Sequence, residues 1–235
     1  MKKGYIYSKQ GTLFGSREVV GFSNGKLYVQ EIPREKANYI IAKKHYSHKF
    51  YNNSYIHLGV WIDNVMVGVL QYGHAMNPSS GGKIVKGTKN DQYVELNRMW
   101  LSDIAPRNSE SMAISCSIKY IKNKYPLIKW IQSFADERCG CLGIVYQACS
   151  FSYYGEHTST FWELDGEVFH NSIKTRTNER LRGYDLLNDP KNKDKIKKNN
   201  LRQFRYIKFI DQRWKKKCLL EEKEYPKHYK NNEKE

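Results

Sequence analysis

The sequence predicts an α/β body with a mixed, largely antiparallel central sheet flanked by helices and followed by a basic C-terminal extension. Three observations carry that expectation. The chain has 235 residues of which 40% are hydrophobic, enough to bury a sizeable core. Strand-like and helix-like runs follow one another as strand, helix, strand pair, strand, helix, strand, helix and late strands, the order of one mixed layer. Asp63-Asn64 also separates two β-rich runs, and two turn-forming residues at such a point signal a hairpin.

Residues 26–32 read as a first strand, and Pro33 opens a helix through about His45, because proline suits a first helical turn. Residues 56–62 and 65–73 are the two hairpin strands. A Gly/Ser/Asn/Lys-rich stretch between Met76 and Asp91 reads as a mobile loop. A strand at 92–101 comes next. A helix at about 109–124 follows, where Met112, Ala113, Ile114, Ile118 and Ile121 recur at helical spacing. Pro126 precedes an apolar strand at 127–134, a short helix spans 141–149, and 160–170 and 203–210 read as late strands.

Charge divides the chain in two. The formal net charge is +16, and residues 191–235 hold 16 Lys and Arg against 7 Asp and Glu, so this segment supplies +9 of it. We expect residues 1–190 to form the catalytic domain and 191–235 a basic strand and tail belonging to a nucleic-acid-binding surface. Such a surface attracts polyanions, and double-stranded DNA is the expected partner. Arg202, Arg205, Arg213, Trp214 and Lys215 in this segment, with Arg98 outside it, are the expected contacts, since cations around an aromatic suit phosphates with some stacking. No apolar run approaches the about 20 residues of a membrane span, and Met1-Lys2-Lys3-Gly4-Tyr5 leads into no apolar signal segment, so the protein is expected in the cytoplasm. Five cysteines at irregular spacing give no disulfide framework and no evident four-ligand zinc set.

Chemistry concentrates between Glu95 and Gly155. There the chain reads Glu95-Leu96-Asn97-Arg98, then Asp103, then Arg107-Asn108-Ser109-Glu110-Ser111 at a helix mouth. Ser133-Phe134-Ala135-Asp136 follows, then Gly140 and Gly143, Tyr146-Gln147-Ala148 and Tyr153-Tyr154-Gly155. This ordered run resembles the Mom family of phage DNA-modification proteins, closely over some sixty residues and more loosely back through His45-Tyr46-Ser47. The resemblance implies an enzyme of N-acetyltransferase-like (GNAT-like) fold, acting in an infected or lysogenic bacterial host. It also implies the chemistry: adenine in DNA converted at its exocyclic amine to a carbamoylmethylated (acetamido) form, masking phage DNA from restriction. One position departs from the family pattern, where Cys141 stands in place of a histidine after Gly140.

Catalytic candidates are Asp136, Ser111, Tyr146, Tyr154 and His45. Asp136 follows an apolar strand, and a carboxylate there accepts or orients a proton of a weakly nucleophilic amine, or merely caps a helix. Ser109 and Ser111 suit capping of the helix that follows. The tyrosines are open to general-acid, stacking or core roles, and His45 to base, metal-ligand or structural ones. Arg107, Asn108, Ser109, Glu110, Gly140 and Gly143 are the expected donor-binding residues, because a helix mouth with a guanidinium attracts phosphate or carboxylate. Arg107–Ser111 holds no glycine, so coenzyme A is not expected to bind by the usual Gly-rich loop; the donor stays unassigned and a metal ion stays open. Two other readings compete: a GNAT-like DNA-binding protein without catalysis, and an N-acetyltransferase acting on protein or a small amine.

Overall fold

The computed structural model describes residues 5–12, 15–22, 27–137, 142–175 and 182–227. It contains ten strands: β1 (Tyr5–Thr12), β2 (Gly15–Phe22), β3 (Leu27–Glu31), β4 (Ser54–Ile62), β5 (Val65–Gly73), β6 (Tyr93–Leu101), β7 (Trp130–Asp136), β8 (Ser152–Leu164), β9 (Glu167–His170) and β10 (Lys197–Phe209). The helices are α1 (Arg34–Lys44), α2 (Gly81–Ile84), α3 (Ser109–Lys124), α4 (Ile144–Ala148), α5 (Asn171–Thr175) and α6 (Arg182–Asn188). The expected mixed, largely antiparallel sheet is present. Among the described residues no helix is long and apolar enough to cross a membrane.

The chain forms two compact units. The first comprises Met1–Ser133, Ile144–Tyr154 and Tyr206–Tyr225, the second Phe134–Gly143, Gly155–Arg205 and Pro226–Glu235. In the first, β1 to β6 pair in sequence, each antiparallel to the next. Asp63 and Asn64 between β4 and β5 both take positive φ, 47° and 65°, the turn geometry whose twist matches that of the strands it joins. β6 then pairs with β7 in parallel, Tyr93 opposite Trp130, Val94 opposite Ile131 and Glu95 opposite Gln132. A parallel pair needs a crossover, and α3 is it.

α1 packs on one face of the first unit's sheet, burying Ala37 and Ile41 with Ile32 and Val69. Under it the Gln71 amide donates to Asn38 Oδ1 (2.8 Å) and to His57 Nδ1 (3.1 Å). α3 is tied to the sheet by the fully buried Tyr72 hydroxyl and Ser117 Oγ, 2.5 Å apart. A second cluster joins Tyr93, Trp130, Tyr154, Ile207 and Phe209, with the Tyr93 and Trp130 rings stacked at 4.3 Å.

The stretch expected as a mobile loop carries α2 and is held in place. Lys86 N–H donates to Lys217 O (2.8 Å), Leu219 N–H to Ile84 O (2.8 Å), and the Trp130 indole to Thr88 Oγ1 (3.2 Å). The segment 160–170, expected as one strand, is a hairpin: Asp165 and Gly166 turn at φ 50° and 79° between β8 and β9. In the second unit Leu164, Phe169 and Leu187 form the core.

β10 lies within the expected basic extension and is neighbour to both β7 and β8. Its exposed Lys197 and Lys198 give way to Phe204, Tyr206, Ile207 and Phe209, each at most 4% exposed. Phe204→Ala should therefore cost about 3–5 kcal/mol, whereas Lys197→Ala should stay within about 0.5 kcal/mol. Urea denaturation of the two variants checks this; equal stabilities would show that β10 is not structural.

Candidate active site

In the first unit, the parallel pairing of β6 and β7 ends at Glu95 and Gln132, and polar side chains gather at that last row. Gln132 donates to Glu95 Oε2 (3.0 Å), Asn97 Nδ2 to Glu95 Oε1 (3.5 Å) and to His74 O (3.3 Å), and Ser54 Oγ to Asn97 Oδ1 (2.9 Å). A register shift between Gln71 and Tyr72 sets Arg98 and Leu96 opposite successive β5 residues, so Asn97 is the extra residue of a bulge, a device that re-aims a side chain. Arg98 turns to the chain after α1, its Nε donating to Lys49 O (2.9 Å) beside the Tyr51 ring. Gln132 Oε1 and Ser133 Oγ have no hydrogen-bond partner although their residues are 3% and 0% exposed. Buried polar groups left unmet cost about 1–3 kcal/mol each and call for an explanation.

His45 closes α1 and is buried. Its Nδ1 accepts from the Ser47 backbone N–H (3.1 Å) and lies 2.8 Å from Ser47 Oγ. Because an amide can only donate, Nδ1 carries no proton, and a neutral ring presents its hydrogen on Nε2.

The α3 mouth differs from the capping expected of its serines. Its N-cap is Asn108, left-handed at φ 69° and with no side-chain capping bond. Ser109 Oγ donates to Pro106 O (2.6 Å) and Ser111 Oγ to Asn108 O (3.0 Å). Both hydroxyls thus point back at carbonyls and cap no amide. Arg107 and Asn108 are exposed, and the exposed Glu110 stands in the first turn. A carboxylate there suits the helix dipole by itself and repels a phosphate that the bare amides would attract.

One and two turns into α3, the chain meets α4. Cys149 Sγ donates to Ser111 O (3.2 Å) and accepts from Ser115 Oγ (3.8 Å). Lys208 Nζ, on β10, donates to Cys149 O and Ser150 O, each at 3.0 Å. Burial pushes the Cys149 thiol up, while the Ser115 hydroxyl and the Lys208 ammonium pull it down. Burial also holds the Lys208 ammonium below its ordinary value. Tyr146, 8% exposed, packs against Phe151 and Tyr206, and Gln147 donates to the Tyr206 hydroxyl (3.1 Å). Tyr154 lies in the Trp130 cluster, and burial there raises its phenol far above the ordinary range.

In the second unit Asp136 ends β7, 8% exposed. Arg202 forks onto Glu137 Oε1 (3.0 and 2.8 Å) and reaches Glu156 (3.6 Å). The Arg205 guanidinium lies over the Phe134 ring at 5.3 Å. Back in the first unit, Arg213 forks onto Asp211, holding that carboxyl down to about 2, and Lys215 pairs with Glu222. Trp214 packs against the Trp130 cluster under Lys217. Three of the expected DNA contacts, Arg202, Arg213 and Lys215, are therefore already in exposed ion pairs. Solvent screens such pairs strongly, so phosphate can exchange for the carboxylate.

Gly143 takes φ 78°, whereas Gly140, Cys139 and Cys141 lie outside the described residues. Among the described residues no three His, Cys, Asp or Glu side chains gather in a way that would hold a metal.

The Mom protein family model matches residues 26–227. The chain belongs to the Mom protein family. It is 46% identical over 236 residues to methylcarbamoylase mom of Escherichia phage Mu, covering 96% of this chain and 94% of that protein. A family member at this identity is a modification enzyme. Solved structures similar to it include apo RimL, a ribosomal L7/L12 alpha-N-protein acetyltransferase, at 8% identity over 86% of this chain and 99% of that one with a TM-score of 0.48. The acetyltransferase that modifies the N-terminal serine of the same ribosomal protein in Salmonella typhimurium gives 10% identity, 80% and 96% coverage and a TM-score of 0.46.

Gln132, Ser54 and Lys208 were not among the residues singled out from this Mom family sequence. Lys208 had a signal: Phe204, Tyr206 and Lys208 alternate along one strand face, so a cation stands at an otherwise aromatic position. Lys208→Met leaves the two carbonyls that close α4 unpaired and should cost about 1–3 kcal/mol, read as a lowered urea midpoint. An unchanged midpoint would show that α4 closes without it.

Proposed function

We propose that this Mom family enzyme acts on DNA, converting adenine at its exocyclic amine to a carbamoylmethylated form and so shielding the DNA from restriction. The observation that supports this best is the phage Mu relative, a methylcarbamoylase, at 46% identity across nearly the whole chain. The +16 charge fits a polyanionic substrate. In the reaction the amine nitrogen forms a bond to the incoming methylene carbon and loses one proton, while the donor's bond to that carbon breaks with its electron pair staying on the donor. The adenine lone pair is delocalised into the ring, so the step needs a proton acceptor and close placement.

Asp136 is our candidate acceptor. Its carboxyl is shielded at the end of a strand, where polar groups of α/β enzymes gather. Ser111 is our candidate for holding the donor or the developing charge, since its hydroxyl sits in the first turn of α3 and its own carbonyl accepts from the Cys149 thiol. Tyr146 supplies a phenol in the same unit as Ser111, His45 a ring with hydrogen on Nε2, and Arg107 a cation at the α3 mouth. Tyr154 is the weakest member of the set, because its ring belongs to an apolar cluster. Glu110 in the first turn speaks against a coenzyme A pyrophosphate resting there in the ordinary way.

Hydrolysis to nucleosides and mass spectrometry of DNA from expressing cells tests the proposal. The intact protein should yield a deoxyadenosine heavier by one carbamoylmethyl group. Asp136→Asn and Ser111→Ala should each lower that yield by roughly 100-fold or more without changing the melting temperature. Full modification by a soluble Asp136→Asn protein would remove Asp136 from the chemistry, and unmodified DNA from the intact protein would refute the activity.

A further inference from the structure

A groove of about 580 Å³ runs beside α1 in the first unit, lined by none of the residues placed in the chemistry above. Trp100 and Met66 of the sheet and Tyr39, Lys43 and Lys44 of α1 line it. Tyr39 is 66% exposed, a large apolar ring kept in water, and Lys43 lies four residues on, one helical turn along the same face. The chain that leaves α1 continues the theme: Tyr46 and Phe50 are 56% and 46% exposed, with Lys49 between them. From Lys36 to Ile62 there are four lysines and no acidic residue.

The backbone that carries Tyr46 and Phe50 is held, not trailing. His45 N–H donates to Ile41 O (3.1 Å), His48 N–H to His45 O (2.9 Å), and Arg98 clamps Lys49 O onto β6 (2.9 Å). Exposed rings gathered on one stretch of surface, rather than scattered singly, mark an interaction site. The combination of ring faces for bases and ammonium groups for the phosphates between them is the chemistry of single-strand nucleic-acid binding.

We propose that the α1 groove holds an unpaired nucleotide of the DNA, its base against Tyr39 and Trp100 and its phosphates against Lys43 and Lys44. The proposal rests on the reading of the enzyme as acting on an adenine base. An exocyclic amine inside a duplex is reached only by taking the nucleotide out of the stack, and the strand so opened leaves unpaired bases that need a platform. The groove's positive charge excludes a basic peptide, and its two rings fit a flat base better than a lone phosphate.

Two fluorescent 20-base-pair probes without donor test this by anisotropy, one fully matched and one with a single bulged adenine. The wild-type protein should bind the bulged probe more tightly. Tyr39→Ala should weaken bulged-probe binding about tenfold, as expected for loss of one base–aromatic stack, and change matched-probe binding less than twofold, while Tyr39→Phe should restore it. Trp100→Phe should keep the binding and abolish the part of the Trp fluorescence quench that the bulged probe alone produces. Equal affinity of the wild type for both probes, or a Tyr39→Ala protein that still prefers the bulge, would overturn the proposal. Because no donor is present, either result leaves the nucleoside assay for adenine modification standing by itself.

Discussion

The first unit depends on one parallel pairing. Antiparallel neighbours can be joined by two residues, as Asp63-Asn64 joins β4 and β5, but β6 and β7 run the same way and force the chain to return across the sheet as α3. The pairing is short, three residues on each strand, and it is anchored at one end by the Tyr93–Trp130 stack. At its other end it stops on Glu95 and Gln132. The crossover then fixes the rest: α3 must begin beyond the end of β6, which brings Arg107 and Asn108 into the turn before it and Ser109–Ser111 into its first turn, and must cover the sheet, which Tyr72 and Ser117 secure.

Hydrogen bonding is nearly complete at that last row and incomplete just past it. Most of its members satisfy one another, Ser54 with Asn97, Asn97 with Glu95, and Glu95 with Gln132. A satisfied buried network fixes side-chain positions well. Gln132 Oε1 and Ser133 Oγ break the pattern, since each is buried and unmet. An alanine at 133 would pack there without the hydroxyl's desolvation cost. A buried group of this kind has its bonding completed by an ordered water, an ion or a ligand.

Much of this arrangement was legible in the sequence. α1 and α3 were visible from a proline start and from apolar residues at helical spacing, and both fall within a residue or two of the expected bounds. The β4–β5 hairpin was visible because its turn needs residues tolerant of positive φ. The β8–β9 turn carried the same kind of signal, Asp165-Gly166, within a segment expected to be one strand. β1 and β2 were not seen, because Tyr5–Thr12 is mostly polar and gains its order from pairing. The serines at the α3 mouth looked like caps by residue type, yet Asn108 takes the left-handed cap position and turns both hydroxyls to carbonyls. The buried row at Glu95 and Gln132 was only half visible, since no pattern tells which of two distant strands will lie side by side.

If the unmet groups beyond the parallel pair belong to the chemistry, removing one should separate activity from stability. Ser133→Ala is the direct measurement, with its melting temperature taken beside the yield of modified deoxyadenosine from expressing cells. The melting temperature should equal or exceed that of the intact protein, with a clear loss of modified base. A fully active Ser133→Ala protein, or one that loses activity only as it loses folded protein, would contradict that role for Ser133.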